Sequence, residues 1–103
     1  MRTSFRGANR KRIRNKVITY SFTKYAYKQL KKLPANIQKR IIKKIKFYIS
    51  TSDPLHFADT IEGKQDKGYR FRIGDYRVIF DWGRNNHILV TKVFLRGEAY
   101  RLF

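Results

Sequence analysis

The sequence has no cysteine and only seven acidic residues among 103. Without thiols there is neither a disulfide nor a thiolate metal site, and a reducing cytoplasm is the simplest compartment. Two histidines alone make no metal constellation, so no metal or cofactor is expected. No apolar run approaches the length of a membrane span. The basic N-terminus lacks a following apolar stretch, so it does not read as a secretory signal. A phosphate-binding glycine loop, a nucleophile elbow and a convincing carboxylate pair are also missing.

Against the seven acids stand 25 Lys and Arg, a formal charge of +18. Self-repulsion on this scale opposes compaction and becomes useful when a polyanion compensates it. RNA, DNA, an anionic membrane and an acidic protein are the partner classes left. Hydrophobic residues make up 42% and aromatics 16%, richer than a disordered chain and enough for the core of one domain.

Residues 1–16, MRTSFRGANRKRIRNK, carry seven basic residues and no acid. They cannot bury an apolar face, and a flexible basic extension is expected ahead of a domain at 17–103. VITYSF (17–22) has strand composition. Thr23 suits a helix N-cap, and Ala26, Leu30 and Leu33 then share one helical face. After Pro34, residues Ile37, Ile41, Ile45 and Tyr48/Ile49 form a second stripe. Lys39, Arg40, Lys43, Lys44 and Lys46 take its opposite face. Such a basic amphipathic helix would also suit a membrane surface, but the strands that follow supply a partner for its stripe. Residues 50–68 read as a loop with a short helical turn. Three strands follow at 69–73, 76–82 and 88–94, with Gly74-Asp75 as a tight turn and 83–86 as the next. The expected class is α+β, ordered β-α-α-β-β-β, with two N-terminal helices on one face of an antiparallel sheet.

The stretch YRFRIGDYRVIFDW (69–82) alternates in character. Tyr69, Phe71, Ile73, Tyr76, Val78, Phe80 and Trp82 fall on one face. Arg70, Arg72 and Arg77 fall on the other, with Arg72 opposite Arg77. A four-residue second turn would set Arg77 opposite Lys92 and bring Phe94 and Arg96 to the same side. Like charges facing each other cost roughly 0.2–1 kcal/mol per pair, which a merely solvated face has no reason to accept. Guanidinium groups hold phosphate oxygens through paired donors. Phe94 and Tyr100 would offer stacking surfaces for unpaired bases. His56 and His87, the latter expected on the packing side, read as structural or exposed. Asp81 reads as an arginine's partner. Glu98 reads as a salt-bridge former, with a proton-accepting role as the alternative.

YKQLKKLPANIQKRIIKKI, then YRFRIGDYRVIFDW, then VFLRGEAYR, together resemble the RelE/ParE superfamily of toxins from toxin–antitoxin modules. RIGDYRVIF followed by LRGEAYR carries most of the likeness, which spans residues 17–103. The resemblance implies neutralisation by an acidic antitoxin in a hetero-oligomer. For a RelE-like member it implies ribosome-dependent endonucleolytic cleavage of mRNA. For a ParE-like member it implies inhibition of DNA gyrase without nuclease chemistry, and a catalytically inactive RNA-binding relative is a third possibility. On the RelE pattern, Arg77, Arg96 and Tyr100 are the expected catalytic residues. Arg70 and Arg72 match substrate-contacting basic positions, and Lys92 joins them from the sheet reading. Lysines stand at the Arg70 and Arg72 positions in the best-known member, and its spacing from last arginine to tyrosine is longer. From the residues alone, Tyr100 is equally a base or an aromatic packed on the sheet edge.

Overall fold

The chain is described from a computed structural model, which defines residues 17–61 and 68–98. The expectations for residues 1–16 and for Tyr100 lie outside the described residues.

Two helices pack on one face of a five-stranded sheet ordered β1-β5-β4-β3-β2. β1 is Thr19–Phe22, α1 is Lys24–Lys31 and α2 is Ala35–Ser50; β2 is Ala58–Ile61, β3 Gly68–Ile73, β4 Tyr76–Gly83 and β5 His87–Leu95. No described helix is long and apolar enough to cross a membrane. Thr23 caps α1 as its position suggested, its hydroxyl accepting the Ala26 N–H at 3.1 Å. The short link to α2 is closed by Gln38, whose Nε2 donates to the Leu33 carbonyl at 2.8 Å.

The α2 stripe buries Ile41, Ile45 and Tyr48 against Phe71, Val78, Phe80 and Val90. Aromatic rings run through this core. Phe57 stacks on Tyr48 at 4.8 Å, Tyr48 meets Phe71 at 4.6 Å, and Phe71 stacks on Phe80 at 4.4 Å. Such contacts add to the area each ring buries. The same burial raises the Tyr48 phenol above its ordinary pKa.

One element goes beyond the expected plan. The segment read as a loop contains its short helical turn, a 3₁₀ turn at Pro54–Phe57, and also the edge strand β2 antiparallel to β3. Its four residues, ADTI, are too short a run for alternation to declare itself. β1 returns beside β5 in parallel, so the sheet is mixed while β2 to β5 are antiparallel.

The expected pairing of Arg77 with Lys92 is corrected. Arg77 pairs with Phe94, and Lys92 pairs with Ile79. The second turn takes three residues, Arg84–Asn86, because Asn85 and Asn86 both accept the left-handed region at φ 64° and 56°. A bulge then breaks the β4–β5 register between Ile79 and Phe80, leaving Thr91 extra. The turn shifts the register by one and the bulge by one more, so Lys92 keeps its predicted face. Residues between turn and bulge change face instead. His87 therefore lies on the side away from the helices, with Leu89 and Asp81, and not on the packing side. Neighbouring groups serve the bulge: the Thr91 hydroxyl donates to the Ile79 carbonyl at 3.4 Å, and the Val93 N–H donates to Gln29 Oε1 at 2.7 Å.

Candidate nucleic-acid interface

The sheet face turned away from the helices is built by β-strand alternation around the hairpin of β3 and β4. Gly74 opens its turn at φ 60°, a conformation nearly free for glycine and strained for other residues. Arg72 sits opposite Arg77 and Arg70 opposite Ile79, as the alternation predicts. Lys92 comes from β5.

Arg77 is the best-anchored of the set. Its Nη1 donates to the carbonyls of Gly74 at 2.9 Å and Tyr76 at 3.0 Å. One edge of its guanidinium is thereby committed to the turn. Desolvation lowers its pKa first, followed by the positive charges of Arg72, Arg70 and Arg96; Asp75 opposes them. A guanidinium still stays charged at neutral pH. The consequence is a concentrated positive field.

Arg96 reaches this field from beyond β5. It begins a 3₁₀ turn, Arg96–Glu98, and its backbone N–H donates to the Asp75 carbonyl at 2.8 Å, tying the end of β5 to the hairpin turn. Glu98 Oε1 accepts the Leu95 N–H at 3.2 Å, and the salt bridge expected for it is not formed among the described residues. The structure thus brings Arg70, Arg72 and Arg96 into electrostatic range of Arg77, with Lys92 on the same face. Tyr100 lies outside the described residues.

Phe94 does not provide a free stacking surface. It is 3% exposed, and Ile79 beside it is 7% exposed. The Phe94 ring and the Ile79 side chain thus place buried apolar groups among the cations of the basic face. Asp81 forms no ion pair among the described residues. The acid that does is Asp59 on β2: its Oδ2 lies 2.7 Å from Arg72 Nε and 3.4 Å from Arg70 Nη2. Sequence reasoning missed Asp59 because it missed β2; only the pairing of Asp59 with Arg70 puts it there.

His56 sits in the 3₁₀ turn before β2, edge-on to Phe57 at 5.1 Å. His87 bridges the parallel pair, its Nδ1 2.6 Å from the Thr19 hydroxyl and its Nε2 2.8 Å from that of Ser21. Both histidines are held by local structure and neither enters the arginine cluster.

Comparison with known proteins adds a lineage to this geometry. The family model described as ParE toxin of type II toxin–antitoxin system, parDE, matches residues 20–100. Among solved structures, the chain is 29% identical to one in the archaeal RelE–RelB complex from Pyrococcus horikoshii, covering 80% of this chain and 97% of that one at a TM-score of 0.59. It is 28% identical to one in the RelB–RelE antitoxin–toxin complex from Methanococcus jannaschii, covering 80% and 96% at 0.60. The RelBE2 toxin–antitoxin complex from Mycobacterium tuberculosis shares the fold at 20% identity and a TM-score of 0.64, covering 77% and 98%. No curated protein sequence matches the chain.

Proposed function

The chain belongs to the ParE toxin family of type II toxin–antitoxin systems, and we propose, from the chemistry of its arginine face, that it is a ribosome-dependent mRNA endoribonuclease acting in the cytoplasm. The observation that carries this reading is the register that sets Arg70, Arg72 and Arg77 on one face of the β3–β4 hairpin, with Arg96 tied to its turn through the Asp75 carbonyl. Fixed guanidinium donors suit a phosphodiester and suit still better the extra negative charge of a phosphorane-like state.

RNA brings its own nucleophile. The 2′-oxygen bonds to the adjacent phosphorus while the bond from phosphorus to the 5′-oxygen breaks. The products are a 2′,3′-cyclic phosphate and a 5′-hydroxyl end. Tyr100, as general base, takes the 2′-proton; the leaving 5′-oxygen is protonated from water, and the hydroxide so formed takes the proton back from Tyr100. Arg77 and Arg96 stabilise the phosphorane; Arg70, Arg72 and Lys92 hold the flanking backbone.

The proposed neutralising partner is an acidic antitoxin, in keeping with the antitoxin complexes formed by the similar structures. A groove of about 500 Å³ between the helices gives such a chain a seat. Leu30, Ile42 and Tyr27 line it, and Lys31, Lys39, Lys43 and Lys46 contribute cations. No acidic residue occurs in either helix.

The ParE family match supports a second reading, inhibition of DNA gyrase by binding alone. Wild-type protein, Arg96→Ala and Tyr100→Phe, each added to translating ribosomes and then mapped for mRNA ends, separate the two. Cutting by wild type that both variants lose supports the nuclease. Growth arrest with intact mRNA and gyrase trapped on DNA supports the second reading. An absence of toxicity from all three would leave an inactive relative.

A further inference from the structure

Asp59 holds two of the arginines on the open face. One carboxylate oxygen, Oδ2, receives both Arg72 Nε and Arg70 Nη2, from alternate residues of a single strand. A non-bridging phosphate oxygen makes the same kind of contact with paired guanidinium groups. The hold is partial. Arg70 Nε is buried with no hydrogen-bond partner among the described residues. The Asp59 and Arg72 side chains are 46% and 59% exposed, so solvent and ligand reach the pair. Exposed ion pairs of this sort contribute little to folding and exchange readily for another anion.

We propose that Asp59 is an internal placeholder for the substrate phosphate, occupying Arg70 and Arg72 in the free protein and yielding them when RNA arrives. The inference rests on the reading that this face takes RNA phosphates. In the free protein Asp59 relieves the repulsion among Arg70, Arg72 and Arg77. Toward RNA it acts as a competitor, which sets how much phosphate contact is needed before binding begins. Its place on an edge strand, outside the β3–β4 hairpin, lets its side chain swing aside without disturbing the arginines' backbone.

The test measures binding of a short single-stranded RNA oligonucleotide by wild-type protein and variants, across a salt series. Asp59→Asn is expected to bind roughly five-fold tighter, the size of one like-charge contact at close range in water. Its salt dependence should also steepen, as more phosphate contacts displace counterions. Asp59→Glu keeps the charge and is expected to bind as wild type. Asp53→Asn makes the same change in net charge outside the sheet, and is expected to alter affinity less than two-fold, since distant surface charges are screened. Arg72→Ala and Arg77→Ala report on the underlying reading and should bind more weakly. If both arginine variants weaken binding while Asp59→Asn binds no tighter than Asp53→Asn, the placeholder is wrong and the RNA face stands. If Asp59→Asn weakens binding, Asp59 positions the arginines instead, and the placeholder is again overturned. If Arg72→Ala and Arg77→Ala bind as wild type does, the RNA reading fails and takes the inference with it.

Discussion

Alternate residues of β3 and β4 meet two different environments, and the contrast separates what the chain needs in order to fold from what it carries for a partner. Toward the helices, Phe71, Val78 and Phe80 are fully buried and Ile73 nearly so, interlocked with Tyr48 and the isoleucines of α2. Toward the open side, Arg70, Arg72 and Arg77 stand within one another's fields, with Arg72 directly across from Arg77. Sequence alternation of period two writes both faces at once. The helix side gains from every contact. The open side accepts repulsion that Asp59 relieves only in part.

The largest expected effect lies on the helix side. Phe80→Ala, which removes a ring stacked on Phe71, should destabilise the protein by about 3–5 kcal/mol in denaturant unfolding. That loss is a large share of the ~5–15 kcal/mol that holds an ordinary domain together. On the open side the balance is reversed. Arg96→Ala should lower single-turnover RNA cleavage by ~10²–10³-fold, the usual consequence of deleting one donor to a charged transition state. Its unfolding free energy should stay within about 0.5 kcal/mol of wild type. Should Arg96→Ala unfold the chain as Phe80→Ala does, the division between the two faces collapses.

Smaller effects sharpen the boundary. Gly74→Ala forces a side chain into φ 60° and places its Cβ 2.7 Å from an Arg40 guanidinium nitrogen. The guanidinium can move aside, so the backbone dominates, and a loss of about 1 kcal/mol or somewhat more is expected. Cleavage should fall with it, because the turn's carbonyls hold Arg77. Arg72→Thr removes both a cross-strand repulsion and an exposed ion pair, effects of opposite sign and each under ~1 kcal/mol. Stability should scarcely change while RNA affinity drops. His87→Ala unties β1 from β5 by removing two hydroxyl contacts. A loss of about 1 kcal/mol is expected, with faster amide exchange confined to β1.

The sequence made the helix pair and the hairpin legible because both rest on local patterns. Thr23 marked the start of α1, the isoleucine spacing marked the buried side of α2, and Gly74 marked the turn. The arginine face followed from alternation alone. What stayed hidden depends on pairings between distant segments. ADTI gave no sign that it would form β2, so Asp59 was not connected to Arg70 and Arg72. The turn at Asn85 and Asn86 and the bulge at Thr91 each move the register by one. The asparagines mark a turn without fixing its length, and the bulge leaves no composition signal, yet together they decide that Arg77 faces Phe94 and that His87 turns away from the core. The burial of Phe94 on the basic side was likewise invisible, since an aromatic residue among cations reads as a stacking surface until its exposure is known.

The most direct test of RNA phosphate chemistry at the arginine face replaces a single atom in the substrate. An mRNA carrying one 2′-deoxynucleotide at the cleaved position, held in a translating ribosome, is expected to bind the protein and resist cutting. The all-ribose message should be cut to a 2′,3′-cyclic phosphate and a 5′-hydroxyl. Equal cutting of both messages, or cutting of neither, would contradict the account.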